Sequence, residues 1–113
     1  MKFADTVVAG GIEILASNDY QAVPIEVAAP DSGTVVKAGT PLEADGTATD
    51  GEDAVGILLY DVDTAVNPNG AIVVQGIIDA TKAQAHSGVT YDTTDLVAAL
   101  PGVILRTNIG VNV

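Results

Sequence analysis

Residues 54 to 60 read Ala-Val-Gly-Ile-Leu-Leu-Tyr, a nearly unbroken apolar run of strand length. Such a run predicts a central β-strand that is covered on both faces. A turn sequence, Asn-Pro-Asn-Gly at residues 67 to 70, then precedes residues 71 to 78, which are rich in β-branched side chains and predict a second strand. Together the two segments predict a hairpin or meander at the centre of the fold.

Outward from this centre, the sequence predicts a mainly β fold with one or two short helices. Pro24 cannot donate to a strand ladder, so residues 22 to 27 are expected at a sheet edge or in an extended arm. Asp92 precedes an acidic first turn, which predicts a helix that ends at a Pro-Gly pair at residues 101 and 102. The alternation of residues 109 to 113 predicts a terminal strand.

The composition is that of one small domain with an aliphatic core. The 113 residues are 48% hydrophobic but only 4% aromatic, so Val, Ile, Leu and Ala must fill the interior. This length suits a single domain of about 100 to 150 residues. The apolar content argues against intrinsic disorder.

The charge and cysteine counts exclude several classes of function. Four Lys and Arg against fifteen Asp and Glu give a net charge of −11, which would repel a phosphate backbone, so nucleic acid is not expected as a partner. With no cysteine, the chain has no disulfide, no thiolate metal site and no cysteine nucleophile. We expect no cofactor.

Neither a signal peptide nor a membrane span is expected. Asp5 lies where the apolar stretch of a signal peptide should begin. The longest nearly unbroken apolar run, residues 96 to 105, is about half of the roughly 20 residues that a spanning helix needs.

The catalytic inventory is thin, and we expect the protein not to be an enzyme. His86 is the only histidine, and it lies beside Ser87 in a predicted loop with no nucleophile-elbow sequence nearby. A surface histidine is the favoured interpretation. The many carboxylates lie in loops without aromatic walls, where little would raise their pKa values for acid catalysis.

The acidic loop at residues 45 to 53 raises the question of calcium. An EF-hand counted from Asp45 requires Gly at the sixth position and Glu at the twelfth, but those positions hold Asp50 and Gly56. The EF-hand hypothesis fails. A looser calcium site remains as an alternative to a solvated turn, and the turn is favoured.

A second alternative comes from residues 33 to 42, which resemble the repeated turn of biotinyl and lipoyl carrier domains. Those domains present a modified lysine at a hairpin tip. Lys37 lies inside a predicted strand and Lys82 lies between Thr81 and Ala83, so neither is expected at such a tip. A carrier-like or ligand-binding β module stays open as the second hypothesis.

An ordered series of short motifs carries a more specific resemblance. It comprises a Thr-Pro-Leu segment, an Asp-Gly-Thr loop, a second Asp-Gly and a Val-Gly-Ile-Leu run, formed by Thr40, Pro41, Leu42, Asp45, Gly46, Asp50, Gly51, Val55, Gly56, Ile57 and Leu58. In this order, followed by a hairpin, a short helix and a terminal apolar strand, the chain resembles the head decoration protein of lambda-like tailed phages. The resemblance covers about residues 34 to 113.

The resemblance implies a fold and a function. The fold would be the small β-rich domain, or β-tulip, of phage head decoration proteins, formed here by residues 30 to 113. The function would be that of a structural virion protein, assembled in the host cytoplasm, which binds the outside of an expanded capsid as a homotrimer. Its partners would be its own copies and the major capsid protein, and it would brace the shell against packaged DNA.

Residues 1 to 29 match that family less well and are more apolar than its polar arm. We expect them to form an N-terminal arm or edge strands that contact the capsid, with Val23, Pro24 and Ile25 as the anchors. The alternative, equally weighted, is that they complete the protein's own sheet. The acidic loop at residues 45 to 53 is expected to lie away from the capsid contact.

Overall fold

Two neighbouring strands, β4 and β6, organise the part of the chain that the computed structural model describes, residues 14–16 and 19–106. The described strands are β1 (Gln21–Glu26), β2 (Val35–Val36), β3 (Pro41–Glu43), β4 (Ala54–Leu58), β5 (Val62–Asp63), β6 (Asn69–Asp79) and β7 (Val103–Arg106). The described helices are α1 (Ala80–Ser87) and α2 (Thr93–Ala99). The fold is mainly β with two short helices across these ranges, as the sequence predicts.

The main sheet has the strand order β1-β6-β4-β3, and β7 adds to β6 in parallel. β4 and β6 pair antiparallel, with Ile57 opposite Val73. The predicted central hairpin is therefore confirmed, although β5 lies within its connection and pairs with β2 in a separate two-stranded ribbon. The second strand begins at Asn69, inside the predicted turn.

Two hydrophobic clusters cover the opposite faces of β4. Side chains alternate between faces along a strand, so neighbours such as Ile57 and Leu58 enter different clusters. The first cluster lies on the helical side and includes Ile14, Ala38, Ala54, Ile57, Val73, Ile78, Ala80, Ala83, Tyr91, Leu96, Leu100 and Val103. The second comprises Val27, Val36, Leu42, Leu58, Val62 and Ile72. The predicted burial of this strand on both faces is confirmed.

β1 lies at the edge of the main sheet, as the proline at position 24 predicts. It pairs antiparallel with β6 from Gln21 opposite Gln75 to Glu26 opposite Asn69, with an irregularity between residues 21 and 22. Its residues are exposed except for Ile25, which is half-buried. This strand contributes little to either cluster.

Aspartate caps begin both helices. Asp79 Oδ1 accepts from the backbone N–H of Lys82 at 3.1 Å, and Asp92 Oδ1 accepts from that of Asp95 at 3.2 Å. These bonds satisfy backbone donors that a helix N-terminus leaves unpaired. α2 therefore begins where the acidic turn predicts.

α1 ends at Gly88, whose φ of 77° is left-handed and whose N–H donates to the Gln84 carbonyl. His86 consequently lies in the last helical turn. The expectation that His86 lies in a loop is wrong, because the capping aspartate and the terminal glycine together define a full helix there.

The Cα radius of gyration, 13.1 Å, is the value of one compact domain of this length. Within residues 14–16 and 19–106, no helix is long and apolar enough to span a bilayer. Residues 1–13, 17 and 18 of the predicted N-terminal arm, and the predicted terminal strand at residues 109–113, lie outside the described residues.

Candidate functional site

The residues that carry the family resemblance fold into one continuous unit. Pro41 and Leu42 of β3 pair with Ile57 and Gly56 of β4, so the two ends of the motif lie side by side. Gly56 faces Ile72, and a Cβ at position 56 would lie 2.8 Å from two atoms of that side chain. The motif is thus a packed strand pair in which glycine is required for the approach of β6.

Thr40 anchors the entry into this unit. Its hydroxyl donates to the Lys37 carbonyl at 2.8 Å, and its own carbonyl accepts from Leu58 N at 2.9 Å. Thr40 is only 4% exposed, so these bonds satisfy polar groups that burial would otherwise penalise. The Val55 side chain, by contrast, is exposed.

The first Asp-Gly turn of the acidic loop lies against the end of β1. Gly46 has a φ of 87°, and a Cβ there would lie 2.1 Å from the Glu26 carbonyl oxygen. The Gly46 carbonyl also accepts from Ala28 N at 3.1 Å. Only glycine fits this position, and one end of the loop therefore borders the proposed contact strand more closely than the sequence predicts. Whether the loop avoids the capsid stays a prediction.

The second Asp-Gly pair lies against the start of α2. The Asp50 carbonyl accepts from Asp92 N at 2.9 Å, and a Cβ on Gly51 would lie 3.2 Å from the Cβ atoms of Asp92 and Asp95. The loop therefore contacts both the end of β1 and the cap of α2.

Two carboxylates, Asp45 in this loop and Asp95 in the helix that the loop contacts, respond oppositely to their surroundings. Hydrogen bonds from the side chain and backbone of Thr47 lower the pKa of Asp45. The neighbouring charge of Asp92 raises the pKa of Asp95, and a smaller contribution comes from Asp50. Among the described residues, no three His, Asp or Glu side chains form a group that could hold a metal ion, so the calcium alternative gains no support from them.

His86 belongs to a polar network that holds α1 against the turn before β3. Its Nε2 donates to Asp61 Oδ1 across 2.8 Å, and the same oxygen accepts from Ala38 N at 2.8 Å. The His86 side chain is 17% exposed. Ser87 Oγ accepts from Val89 N at 3.1 Å. These bonds assign both polar side chains a structural role, and the partnership of His86 with Asp61 was not predicted.

Tyr91 is a second feature that sequence reasoning missed. Its ring is 6% exposed, and its hydroxyl donates to the Gly39 carbonyl. Gly39 has a φ of 94°, and a Cβ there would lie 2.6 Å from the Ala83 carbonyl oxygen. Burial raises the pKa of the Tyr91 phenol well above its ordinary value. This tyrosine therefore fixes the turn at residues 37 to 40 against α1.

Neither lysine proposed for a carrier function lies at a hairpin tip, as expected. Lys37 directly follows β2 rather than lying inside it, because the strand ends at Val36. Its turn joins β2 to β3, which pair with β5 and β4 respectively and not with each other. Lys82 lies in α1.

The proposed contact residues belong to the protein's own sheet. Val23, Pro24 and Ile25 pair with Ile72, Ala71 and Gly70 of β6, so this part of residues 1 to 29 lies in the protein's own sheet. Val23 nonetheless remains 41% exposed. Pairing within the chain and exposure to a partner are therefore compatible, and the capsid contact stays a prediction.

Two shallow clefts border the exposed apolar side chains. One, of about 270 Å³, is lined by Tyr20, Gly76 and Ile104 among others. The other, of about 230 Å³, is lined by residues around β5, including Tyr60 and Val66. Val66 is 81% exposed at the tip of the turn after β5. Both clefts are small for a specific small-molecule site, which typically measures about 300 to 1,000 Å³.

No family model, curated protein or solved structure matches this chain. The resemblance to phage head decoration proteins therefore rests on the quoted residues alone.

Proposed function

We propose that this protein is a non-enzymatic structural subunit of a tailed-phage virion. It binds the outer surface of the expanded capsid as a homotrimer, contacts the major capsid protein, and stabilises the shell against the pressure of packaged DNA. The observation that carries the proposal is the ordered motif from Thr40 to Leu58, which resembles the head decoration family.

The packing of this motif supports the proposal. Its glycines occupy contacts that a side chain would disrupt, against Glu26 at position 46 and against Ile72 at position 56. A motif fixed by such contacts marks a shared fold better than the same letters in an unconstrained loop would.

The size and surface support oligomerisation. A chain of this length buries only about two thirds of the surface of its unfolded state, so contacts between subunits add stability. Tyr20, Val23 and Ile104 are exposed apolar side chains that such contacts would cover.

The proposal is tested with purified protein and undecorated heads. Light scattering after size-exclusion chromatography should give three times the 11.3 kDa chain mass. Co-sedimentation should show saturable binding to expanded heads and none to unexpanded ones, because only the expanded lattice presents the site. A monomer in solution would contradict the trimer, and failure to bind cognate expanded heads would contradict the function.

A matched pair of variants tests the contact strand. Val23→Asp in β1 should weaken binding to heads about tenfold or more, because it places a charge in a desolvated contact. Val35→Asp in β2 is the control, since Val35 is 45% exposed against 41% for Val23. Thermal unfolding should show both variants folded. Equal loss of binding in both variants would contradict the assignment to β1.

A further inference from the structure

Asn69 and Gly70 form the one Asn-Gly pair in the sequence, and they lie at the start of β6. Asparagine is a thermolabile residue, and deamidation is fastest before glycine because glycine has no side chain to hinder the attack on the carboxamide. Asn69 is exposed, so water reaches its carboxamide, whereas Gly70 is buried. Asn67 is also exposed, but it precedes Pro68, which has no N–H with which to attack.

The reaction closes a succinimide ring between the two neighbouring residues. The Gly70 nitrogen attacks Cγ of Asn69, the new N–Cγ bond forms, the Cγ–Nδ2 bond breaks, and the Gly70 amide proton leaves with Nδ2 as ammonia. Water then opens the ring at either carbonyl and gives aspartate or isoaspartate. The chain thereby gains a negative charge at position 69.

The ladder between β1 and β6 holds the Gly70 nitrogen away from this reaction. Val27 N donates to the Pro68 carbonyl at 2.8 Å. Hydrogen-bonded pairs recur at every second residue of an antiparallel ladder, so Ile25 and Gly70, which lie opposite each other, exchange backbone bonds. The extended backbone of Asn69 also turns the Gly70 nitrogen away from the Asn69 Cβ, whereas the ring needs both on the same side of the Cα–C bond. Deamidation therefore requires that the end of β1 first detach from β6.

The product would oppose the return of this contact. Asn69 lies opposite Glu26, between the two hydrogen-bonded pairs, and side chains in such an intervening pair lie close together. Both residues are exposed. Conversion of Asn69 to aspartate places two carboxylates directly opposite each other, and like charges in this position destabilise a sheet.

We propose that Asn69 is a deamidation site that the fold protects and that local detachment of β1 makes reactive. Its aspartate product then weakens the same contact whose opening allowed the reaction. The conversion runs in one direction, since ammonia is lost. The proposal is independent of the proposed function, because it depends only on residues 25–27 and 68–70.

The first experiment measures the rate of conversion in the full-length chain. Native protein and protein unfolded in guanidinium chloride are incubated at the same mildly alkaline pH, and peptide mass spectrometry follows deamidation at each asparagine. In the unfolded chain, Asn69 should convert faster than Asn67. In the native chain, Asn69 should convert at least about tenfold more slowly than in the unfolded chain, because only the detached state reacts. Equal rates at Asn69 in the two states would overturn protection by the fold.

A matched pair of glycine variants tests whether the detachment is local. Gly46→Ala places a Cβ 2.1 Å from the Glu26 carbonyl oxygen, so the end of β1 must shift, and native-state deamidation of Asn69 should rise about tenfold or more. Gly33→Ala is the control, because Gly33 also has a left-handed φ but a Cβ there meets nothing within 4 Å. It should leave the rate nearly unchanged. Equal rates in the two variants would overturn local detachment.

Hydrogen exchange tests the same opening in the wild-type chain, without any substitution. The Gly70 amide should be less protected than the amide of Val73, which lies opposite Ile57 in the centre of the sheet. Equal protection of the two amides would mean that they open only together, and would contradict local detachment.

Asn69→Asp tests the effect of the product. The protection factor of the Gly70 amide should fall about twofold to fivefold, because the new carboxylate faces Glu26. Glu26→Gln in the same chain removes the facing charge and should restore the protection. Asn67→Asp adds the same charge outside this pair and should not lower it. Unchanged protection in Asn69→Asp, or a loss that persists beside Glu26→Gln, would overturn the proposed effect of the product.

Discussion

β4 and β1 both pair with β6, yet they differ in almost every other respect. β4 pairs on two sides, with β3 and β6, and residues 56 to 58 are buried. β1 pairs with β6 alone within the described residues, and five of its six residues are exposed while Ile25 is half-buried. The first strand is fixed by packing on both faces, and the second by backbone pairing along one edge.

Because of this difference, substitutions in β4 should affect the stability of the fold, whereas substitutions in β1 should mainly affect association with a partner. Side chains in β4 enter both hydrophobic clusters, so substitutions there should change the free energy of unfolding. Side chains in β1 mostly face solvent, so substitutions there can change contacts with a partner without loss of the fold. A partner that binds β1 would therefore use the part of the sheet that the fold needs least.

The largest expected effect tests this contrast directly. Ile57→Ala in β4 removes a fully buried side chain and should lower the free energy of unfolding by about 2 to 5 kcal/mol. Val23→Ala in β1 should lower it by only about 0.5 kcal/mol, because Val23 is exposed and lies in neither hydrophobic cluster. Urea unfolding followed by circular dichroism measures both. Similar losses in the two variants would remove the distinction between the strands.

The next effect concerns the junction where the loop after β3 lies against the end of β1. Gly46→Ala should cost about 3 kcal/mol, since it combines a left-handed φ with overlap on the Glu26 carbonyl. Gly33→Ala is the matched control: its φ is 78°, but a Cβ there meets nothing within 4 Å, and it should cost only about 1 kcal/mol. Equal costs would show that the junction can relax.

Sequence patterns predict those parts of the fold that depend on local chemistry. The apolar run at β4, the proline in β1 and the aspartate that caps α2 each follow from a few neighbouring residues. The missed features depend on pairs far apart in the chain. Tyr91 lies 52 residues from Gly39 and His86 lies 25 from Asp61, and no periodicity encodes either pairing.

The strands β2 and β5 illustrate the same limit. Each is two residues long, and among residues 14–16 and 19–106 they pair only with each other. Propensity over two residues carries almost no information, so their pairing depends on tertiary context. The proposed contact residues of β1 show a different limit of prediction. The exposure of Val23 shows that a partner could reach this side chain, but one chain does not encode which partner binds there.

The Tyr91 hydroxyl stabilises the fold beside β4, and its removal should have an intermediate effect on the free energy of unfolding. The hydroxyl donates to the Gly39 carbonyl, and the Gly39 N–H in turn donates to the carbonyl of Leu58 in β4 at 2.8 Å. Tyr91→Phe should lower the free energy of unfolding by about 1 kcal/mol at neutral pH through loss of one hydrogen bond. The folded-state pKa of this phenol lies above its unfolded value of about 10. The neutral phenol therefore contributes stability that is fully present below about pH 10 and is lost as the pH rises further.

Denaturant unfolding between pH 7 and 11.5 should separate Tyr91→Phe from a control. The alkaline loss of stability should be smaller in Tyr91→Phe than in wild type, since the ionisable group is absent. Tyr60→Phe is the control, because Tyr60 is 45% exposed. It should retain the wild-type pH dependence. An unchanged alkaline loss in Tyr91→Phe would show that another group causes it.

The smallest effect distinguishes the two contacts of the acidic loop, one with the end of β1 and the other with the cap of α2. As the pH falls, Asp95 should take up its proton before Asp45, because Asp92 raises the pKa of the first and Thr47 lowers that of the second. Asp92→Asn removes the charge but keeps an efficient helix cap. The pKa of Asp95 should then fall toward its ordinary value, while that of Asp45 stays unchanged. Carboxyl chemical shifts followed by NMR between pH 2 and 7 measure both groups. If Asp92→Asn left the titration of Asp95 unaltered, repulsion by Asp92 would not be the cause of the raised pKa, and the contrast between Asp45 and Asp95 would no longer follow from their immediate neighbours.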